Sequence, residues 1–416
     1  LLIVIIIVQT HTIYAQSNNY DEQIGECINK QDYFGMRKIL NEHADKLSDF
    51  MLSLSKSLEG NHFNRPLQAI QYIPVLLERY QNLIQPSPIP MVVMLAENYA
   101  LTGNYKAAVS IYESLIKQLS DQGASTSEYT ETINRYKAFS DIPPQKMLLE
   151  KTTTIPLKID YVGLTTIPVT INGRTSDFVF DTGAGFSVLS EEYAKEMGVK
   201  ILETNTGAID AIGNIVQMKF GIADKLILGD AVFENVTFLI MPDKIAWKEI
   251  PGYEIEGIIG MHLMFAMKEV HVTRGESITI PKEINRYNKS NMLLMNLMPN
   301  VQAVSGKDTL ILKFDSGSVN DNLNAKYFNN HKDYILKKAQ RDTIKSGSAG
   351  GMKEGIEVYA LKDFPLEIGG KKTIIPRLNV QTSPVNQDSS IADGLIGQSF
   401  IRAFDKMIIN FVDMYI

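Results

Sequence analysis

Two short runs in the chain carry residues able to move protons. Phe178-Val179-Phe180-Asp181-Thr182-Gly183-Ala184 is an apolar strand ending in a carboxylate, a hydroxyl and a glycine. Leu310-Ile311-Leu312-Lys313-Phe314-Asp315-Ser316-Gly317-Ser318 repeats the arrangement. One Asp-Ser/Thr-Gly triplet alone is ordinary strand-to-turn chemistry. Two of them, brought together, would set Asp181 against Asp315. Carboxylates within about 3 Å of each other cannot readily both ionise, so one proton is shared and the titration steps belong to the pair. Such a pair offers a base that takes a proton from water and an acid that protonates a carbonyl oxygen or a leaving nitrogen. Gly183 and Gly317 let the backbone turn tightly and approach a partner, and the Thr182 and Ser316 hydroxyls can hydrogen-bond between the two loops.

The surroundings of the triplets also repeat. Gly257-Ile258-Ile259-Gly260 follows the first and Gly394-Leu395-Ile396-Gly397 the second. Gly257 lies 76 positions after Asp181, and Gly394 lies 79 after Asp315, a difference of three residues. Leu226-Ile227-Leu228-Gly229 corresponds to Leu366-Glu367-Ile368-Gly369, Leu263-Met264 to Phe400-Ile401, and Val270-His271-Val272 to Met407-Ile408-Ile409. Agreement at so many landmarks marks an internal duplication. The copies differ beyond the triplets: Val188-Leu189 in the first faces Asn322-Leu323 in the second, preceded by Asn320-Asp321. Asp321 is expected either to face solvent or to signal that the second copy has drifted from catalysis. Glu256 against Asp393 is a minor exchange.

Over about residues 154–416 these paired motifs resemble the aspartic peptidases of retropepsin-like and pepsin-like fold. The resemblance implies two lobes, each supplying one aspartate, with the aliphatic-glycine segment passing beneath each active-site loop and the Thr182 and Ser316 hydroxyls bracing the loops. Both copies lie in one chain, so the dyad would need no dimer and the protein is expected to be a monomer acting on a peptide or protein substrate, without cofactor or metal. A hairpin flap would cover the peptide; its candidates are Ala211-Ile212-Gly213-Asn214 and Ser348-Ala349-Gly350-Gly351. The implied activity is aspartic endopeptidase. The rival is a catalytically inactive peptide-binding protein on the same fold, whose helical domain docks a partner. Retention of both aspartates disfavours that rival.

The elements that position these residues follow from periodicity. From Ile155 onward, short runs rich in Val, Ile, Thr and Phe alternate with turn pairs such as Asn172-Gly173, the pattern of a mostly β domain. Strands are expected at Ile167–Ile171, Asp177–Phe180, Lys225–Leu228 and Val236–Met241. Residues 20–140 instead show apolar residues at helical spacing. Leu95-Ala96, Tyr99, Gly103, Tyr105, Ala107-Ala108, Ile111-Tyr112 and Leu115 resemble one tetratricopeptide-type helix pair, although a generic helical bundle accounts for them as well. The expected organisation is a multidomain chain: helical-repeat-like all-α residues 20–140, a linker over 141–153 marked by Pro143-Pro144 and Thr152-Thr153-Thr154, then a mostly β, bilobal part with lobes at 154–284 and 290–416.

Composition excludes several classes. A length of 416 residues implies two or three domains, and 44% hydrophobic with 21% charged residues is ordinary for a folded protein. A formal charge of −6 without any Lys/Arg run argues against a nucleic-acid partner. The six His do not fall at metal-ligand spacing, His262 and His271 are expected to be structural, and neither a phosphate-binding glycine loop nor a serine nucleophile elbow is present. Cys27 is the only cysteine, so no internal disulfide forms. The aliphatic run Leu1–Val8 and the polar stretch after Ala15 suggest a signal peptide over residues 1–15, which would export the chain to a periplasm or the cell exterior. No later stretch is long and apolar enough to span a membrane.

Overall fold

A computed structural model of the chain describes residues 19–204, 206–209, 215–242, 245–246, 250, 252–348, 351–383 and 391–416. The expected leader over 1–15 lies outside the described residues. The chain divides into two compact units, residues 1–144 and 145–416.

The first unit is helical: α1 (Asn19–Asn29), α2 (Tyr33–His43), α3 (Asp49–His62), α4 (Pro66–Arg79), α5 (Ile89–Leu101), α6 (Tyr105–Asp121) and α7 (Ser127–Phe139). Side-chain caps start several of them. Asp32 accepts from the Gly35 N–H, Ser48 from Met51 and Asn104 from Ala107, satisfying donors that a first helical turn leaves free. In α6 the buried residues Tyr105, Ala108, Tyr112, Leu115 and Leu119 recur at three- and four-residue intervals, a single apolar stripe. Glu97 of α5 ties three helices together by accepting hydroxyl hydrogen bonds from Tyr112 of α6 and Tyr136 of α7, each 2.6 Å. Cys27 is a free, half-buried thiol whose pKa is raised, first by burial. No described helix is long and apolar enough to cross a membrane.

The second unit is built on two closed sheets. The first contains β1 (Thr165–Ile171), β2 (Arg174–Phe180), β3 (Ser187–Ser190), β4 (Ile215–Leu228), β5 (Ala231–Met241) and β6 (Gly257–Ile259). Its order is β1-β2-β6-β3-β5-β4, and β4 pairs again with β1 to close the ring. Asn172 and Gly173 both adopt positive φ, 50° and 85°, in the two-residue turn between β1 and β2, as a tight hairpin requires. Phe178, Phe220, Phe233 and Phe238 fill the interior and are fully buried.

The second closed sheet repeats this plan. β7 (Glu269–Thr273) and β8 (Ser277–Ile280) come between; then β9 (Met298–Ser305), β10 (Asp308–Phe314), β11 (Asn322–Leu323), β12 (Gly351–Ile368), β13 (Lys371–Gln381) and β14 (Gly394–Ile396) follow in the order β9-β10-β14-β11-β13-β12, closed by β12 on β9. Parallel and antiparallel pairings match position for position: β2–β6 and β10–β14 are parallel, as are β3–β5 and β11–β13. Leu228 and Ile368 end equivalent strands, each followed by a glycine with positive φ.

A separate four-stranded sheet joins the repeats. β7 pairs antiparallel with β15 (Lys406–Asn410), so Val270, His271 and Val272 lie opposite Ile409, Ile408 and Met407. The corresponding sequence segments are therefore direct neighbours. Thr153–Pro156 forms the outer strand beyond β8, and Lys146–Leu148 pairs with β5. Part of the stretch expected as linker is thus strand, because Lys146 meets Glu234 across the ladder at 2.8 Å and the edge of β5 offers free backbone groups. Glu269, fully buried in β7, accepts from the Asn285 N–H and side-chain amide, from Asn410 and from His271, at 2.7–3.1 Å. Glu269→Ala removes the acceptor from the buried Asn410 amide and from the partly buried Asn285 and His271 donors, so urea unfolding should show a loss of about 2 kcal/mol. A loss under about 1 kcal/mol would mean that the donors find other partners.

Candidate active site

The two Asp-containing runs end equivalent strands, and a parallel neighbour fixes each end. Phe180 lies beside Ile259 and Phe314 beside Ile396. The next residue in each case keeps the ladder going: the Asp181 N–H donates to the Ile259 carbonyl at 3.0 Å and the Asp315 N–H to that of Ile396 at 2.9 Å. The aliphatic-glycine segments are therefore the floor that holds the loops. Their closing glycines permit a close approach, since a Cβ on Gly260 would sit 2.3 Å from the Phe186 carbonyl oxygen, and one on Gly397 2.3 Å from that of Ser318. Each carboxylate then turns its own loop, accepting the N–H two residues on: Gly183 to Asp181 Oδ1 at 2.7 Å, Gly317 to Asp315 Oδ1 at 3.1 Å.

Thr182 and Ser316 lock the loops to each other with four buried hydrogen bonds. The Thr182 N–H donates to Ser316 Oγ and the Ser316 N–H to Thr182 Oγ1, both at 2.9 Å. The Thr182 hydroxyl donates to the Phe314 carbonyl at 2.9 Å and the Ser316 hydroxyl to the Phe180 carbonyl at 2.6 Å. Each hydroxyl thus donates once and accepts once across the junction, and both side chains are sealed from water, 0% and 1% exposed.

This brace brings the carboxyl groups together. A Cβ added to Gly183 would fall 2.3 Å from Asp315 Cγ, and one added to Gly317 2.4 Å from Asp181 Cγ. Each carboxyl therefore packs on the opposite loop's glycine. The Asp181 carboxyl is pushed up to about 7, first by burial and then by the Asp315 charge, against the pull of the Gly183 N–H and the Lys313 ammonium. Near neutral pH the pair holds a shared proton, the state that can give and take a proton in one encounter.

Several neighbours are visible only in three dimensions. Asp321 does not face solvent: it is 2% exposed, and its Oδ1 accepts the Gly397 N–H at 2.6 Å, the place where Ser187 Oγ accepts Gly260 at 3.1 Å. The two residues stand at the same distance beyond their aspartates, so the polarity at 320–321 includes a loop support. Gln398 is fully buried, donating to the Ser316 carbonyl at 2.6 Å and accepting from the Thr165 hydroxyl at 3.0 Å, which links β1 of the first closed sheet to the second loop. Its place directly after Gly397 was the only sequence signal. Lys313 Nζ lies 3.7 Å from Asp315 Oδ2.

Of the flap candidates, Ala211, Ile212, Gly213, Asn214, Ala349 and Gly350 lie outside the described residues. Gly351 is the first residue of β12, paired with Ser348. The strands leading to both segments are antiparallel hairpins, Ile209 opposite Ile215 and Ser348 opposite Gly351. His262 stacks on Phe186 at 5.1 Å, and burial lowers its pKa to about 4; His271 is engaged by Glu269. Among the described residues, no group of three or more His, Cys, Asp or Glu is arranged to hold a metal ion.

A family model described as aspartyl protease matches residues 167–263, a span that contains Asp181-Thr182-Gly183 and Gly257–Gly260. No curated protein matches the chain.

Two measurements test the electrostatics and the brace. Thr182→Val keeps the shape but leaves the buried Ser316 N–H and Phe314 carbonyl unpaired, and should cost about 2 kcal/mol in denaturant unfolding. Because the Asp181 carboxyl binds its proton more tightly folded than unfolded, its contribution to stability is largest in acid and is lost as pH rises through about 7. Asp181→Asn should therefore match the parent in Tm near pH 4 and exceed it by a few degrees at pH 8. An equal Tm at both pH values would contradict a raised carboxyl.

Proposed function

We propose that the chain is an aspartic endopeptidase in which Asp181 and Asp315 activate water against a peptide bond. The observation that carries this reading is the reciprocal seating of each carboxyl on the glycine of the other loop. The two closed sheets are then two lobes of one peptidase, and a single chain supplies both aspartates. The aspartyl protease match over 167–263 supports the first lobe, and the repeated strand order supports the second.

The chemistry needs only the pair. Its ionised member takes a proton from water as the water oxygen bonds to the carbonyl carbon, and the protonated member gives its proton to the carbonyl oxygen. A neutral tetrahedral diol results, and the proton arrangement of the pair is reversed. The first carboxyl then passes its proton to the amide nitrogen, the C–N bond breaks, and the diol returns a proton to the other carboxyl. Acid and amine products leave with the pair as it began. An extended substrate fits such a cleft through backbone hydrogen bonds.

Cleavage of a peptide library by the full chain, measured from acid to alkaline pH, tests the proposal. Asp181→Asn and Asp315→Asn should each lower kcat/KM by about 100-fold or more. Activity should decline as pH rises through about 7, where the pair loses its shared proton. Undiminished cleavage by either variant would sink the dyad, and binding without cleavage by the parent chain would favour a peptide-binding protein.

A further inference from the structure

The two aspartates differ in what stands two residues before them. Val179 occupies that place in the first repeat and Lys313 in the second. Alternate residues of a strand share a face, so each side chain lies on the same side of its sheet as the following carboxylate. Val179 packs in an apolar cluster with Leu164, Val188, Tyr253 and Ile258. Lys313 instead reaches Asp315, with Nζ 3.7 Å from Oδ2, and its side chain is 27% exposed.

The neighbours of Lys313 leave it few alternatives. Asn300 of β9 and Leu395 of β14 are its ladder partners, both uncharged, and the Asn300 amide donates to the Met298 carbonyl. Asp321, on the same loop as Asp315, is directed to the Gly397 N–H. The Asp315 carboxylate and the Lys313 ammonium both act on Asp181, in opposite directions. One cation thus stands beside two like-charged groups and contacts only one of them directly.

We propose that Lys313 is a positioning residue that breaks the symmetry of the carboxyl pair, holding Asp315 ionised as the base and leaving the shared proton on Asp181 as the acid. The inference rests on the endopeptidase reading for its chemistry, though not for the ion pair itself. In the first step Asp315 takes the water proton and Asp181 gives its own to the carbonyl oxygen. The ammonium then faces a neutral Asp315 and makes it a stronger acid, which favours passing that proton to the leaving nitrogen. Lys313 keeps its own proton throughout. A cation favours the ionised forms of both carboxyls, so Lys313 moves the singly protonated window of the pair toward acid.

Substitutions at position 313 in the full chain separate charge from packing. Lys313→Val installs the side chain found at the equivalent place, Lys313→Gln keeps nearly the original length without charge, and Lys313→Arg keeps the charge. Carboxyl carbon NMR titration should show both steps of the pair moving up by about one pH unit in the Val and Gln variants and staying near the parent values in the Arg variant. The pH profile of kcat/KM should move alkaline by the same amount, with Arg restoring it. Unmoved titrations in Val and Gln, or an Arg variant that behaves like Val, would overturn the assignment. If the parent cleaves no peptide, the endopeptidase reading falls, while the titration still decides whether Lys313 governs the pair.

Discussion

Everything at the site depends on two buried hydroxyls. Thr182 and Ser316 each accept the other's backbone N–H and donate to a carbonyl on the opposing strand, so neither loop is complete without the other. In an environment closed to water, each unmade bond would leave a polar group stranded, at about 1–3 kcal/mol. The loops are therefore stable only in one mutual arrangement. That arrangement sets a glycine against each carboxyl, and because any side chain at 183 or 317 would collide with the opposing aspartate, the carboxyls can approach only there.

Bringing two carboxylates together out of water is unfavourable twice over, through lost hydration and through repulsion. The fold meets the first with backbone N–H groups: Gly183 and Gly317 each donate to the carboxylate of their own loop. It meets the second by leaving a proton in place, as the raised Asp181 carboxyl indicates. Around the pair stand two closed sheets without free central edges and a joining sheet that holds the fully buried Glu269.

Much of this was legible in the sequence because it is periodic or repeated. The nearly equal spacing between the triplets and the aliphatic-glycine runs, 76 and 79 residues, follows from equal strand order in the two closed sheets, and Asn172-Gly173 declares its turn through the backbone it needs. The short apolar runs also located β1, most of β2 and the ends of β4 and β5. What escaped was set by contacts distant in sequence. The burial of Asp321 depends on Gly397, 76 residues away, so its charge alone suggested solvent. Gln398 reaches Thr165 across 233 residues, and no local pattern could announce that. Lys313 sat in a run of aliphatic residues, where its direction mattered more than its type.

The repeats have diverged around the two aspartate loops and have stayed alike where their strands meet each other. Val179 and Lys313, Ser187 and Asp321, and Met261 and Gln398 are equivalent pairs, apolar or neutral in the first repeat and charged or amide in the second. Strand pairing tolerates no such freedom, since moving a residue by one position turns its side chain to the other face. The exchanges are also coherent. Ser187 and Asp321 both accept the N–H of the floor glycine, so the support persists while its charge changes. Burial raises the Asp321 carboxyl to about 6, against the pull of the Gly397 N–H, so a second titrating group stands beneath the second loop. Two aspartates drawn from a repeated framework would by symmetry be equal, and under the proposed endopeptidase reading equal groups would have no reason to divide the work of acid and base. The glycine seats at 183 and 317 are common to both repeats, whereas Lys313 and Asp321 beside Asp315 have no charged counterpart in the first.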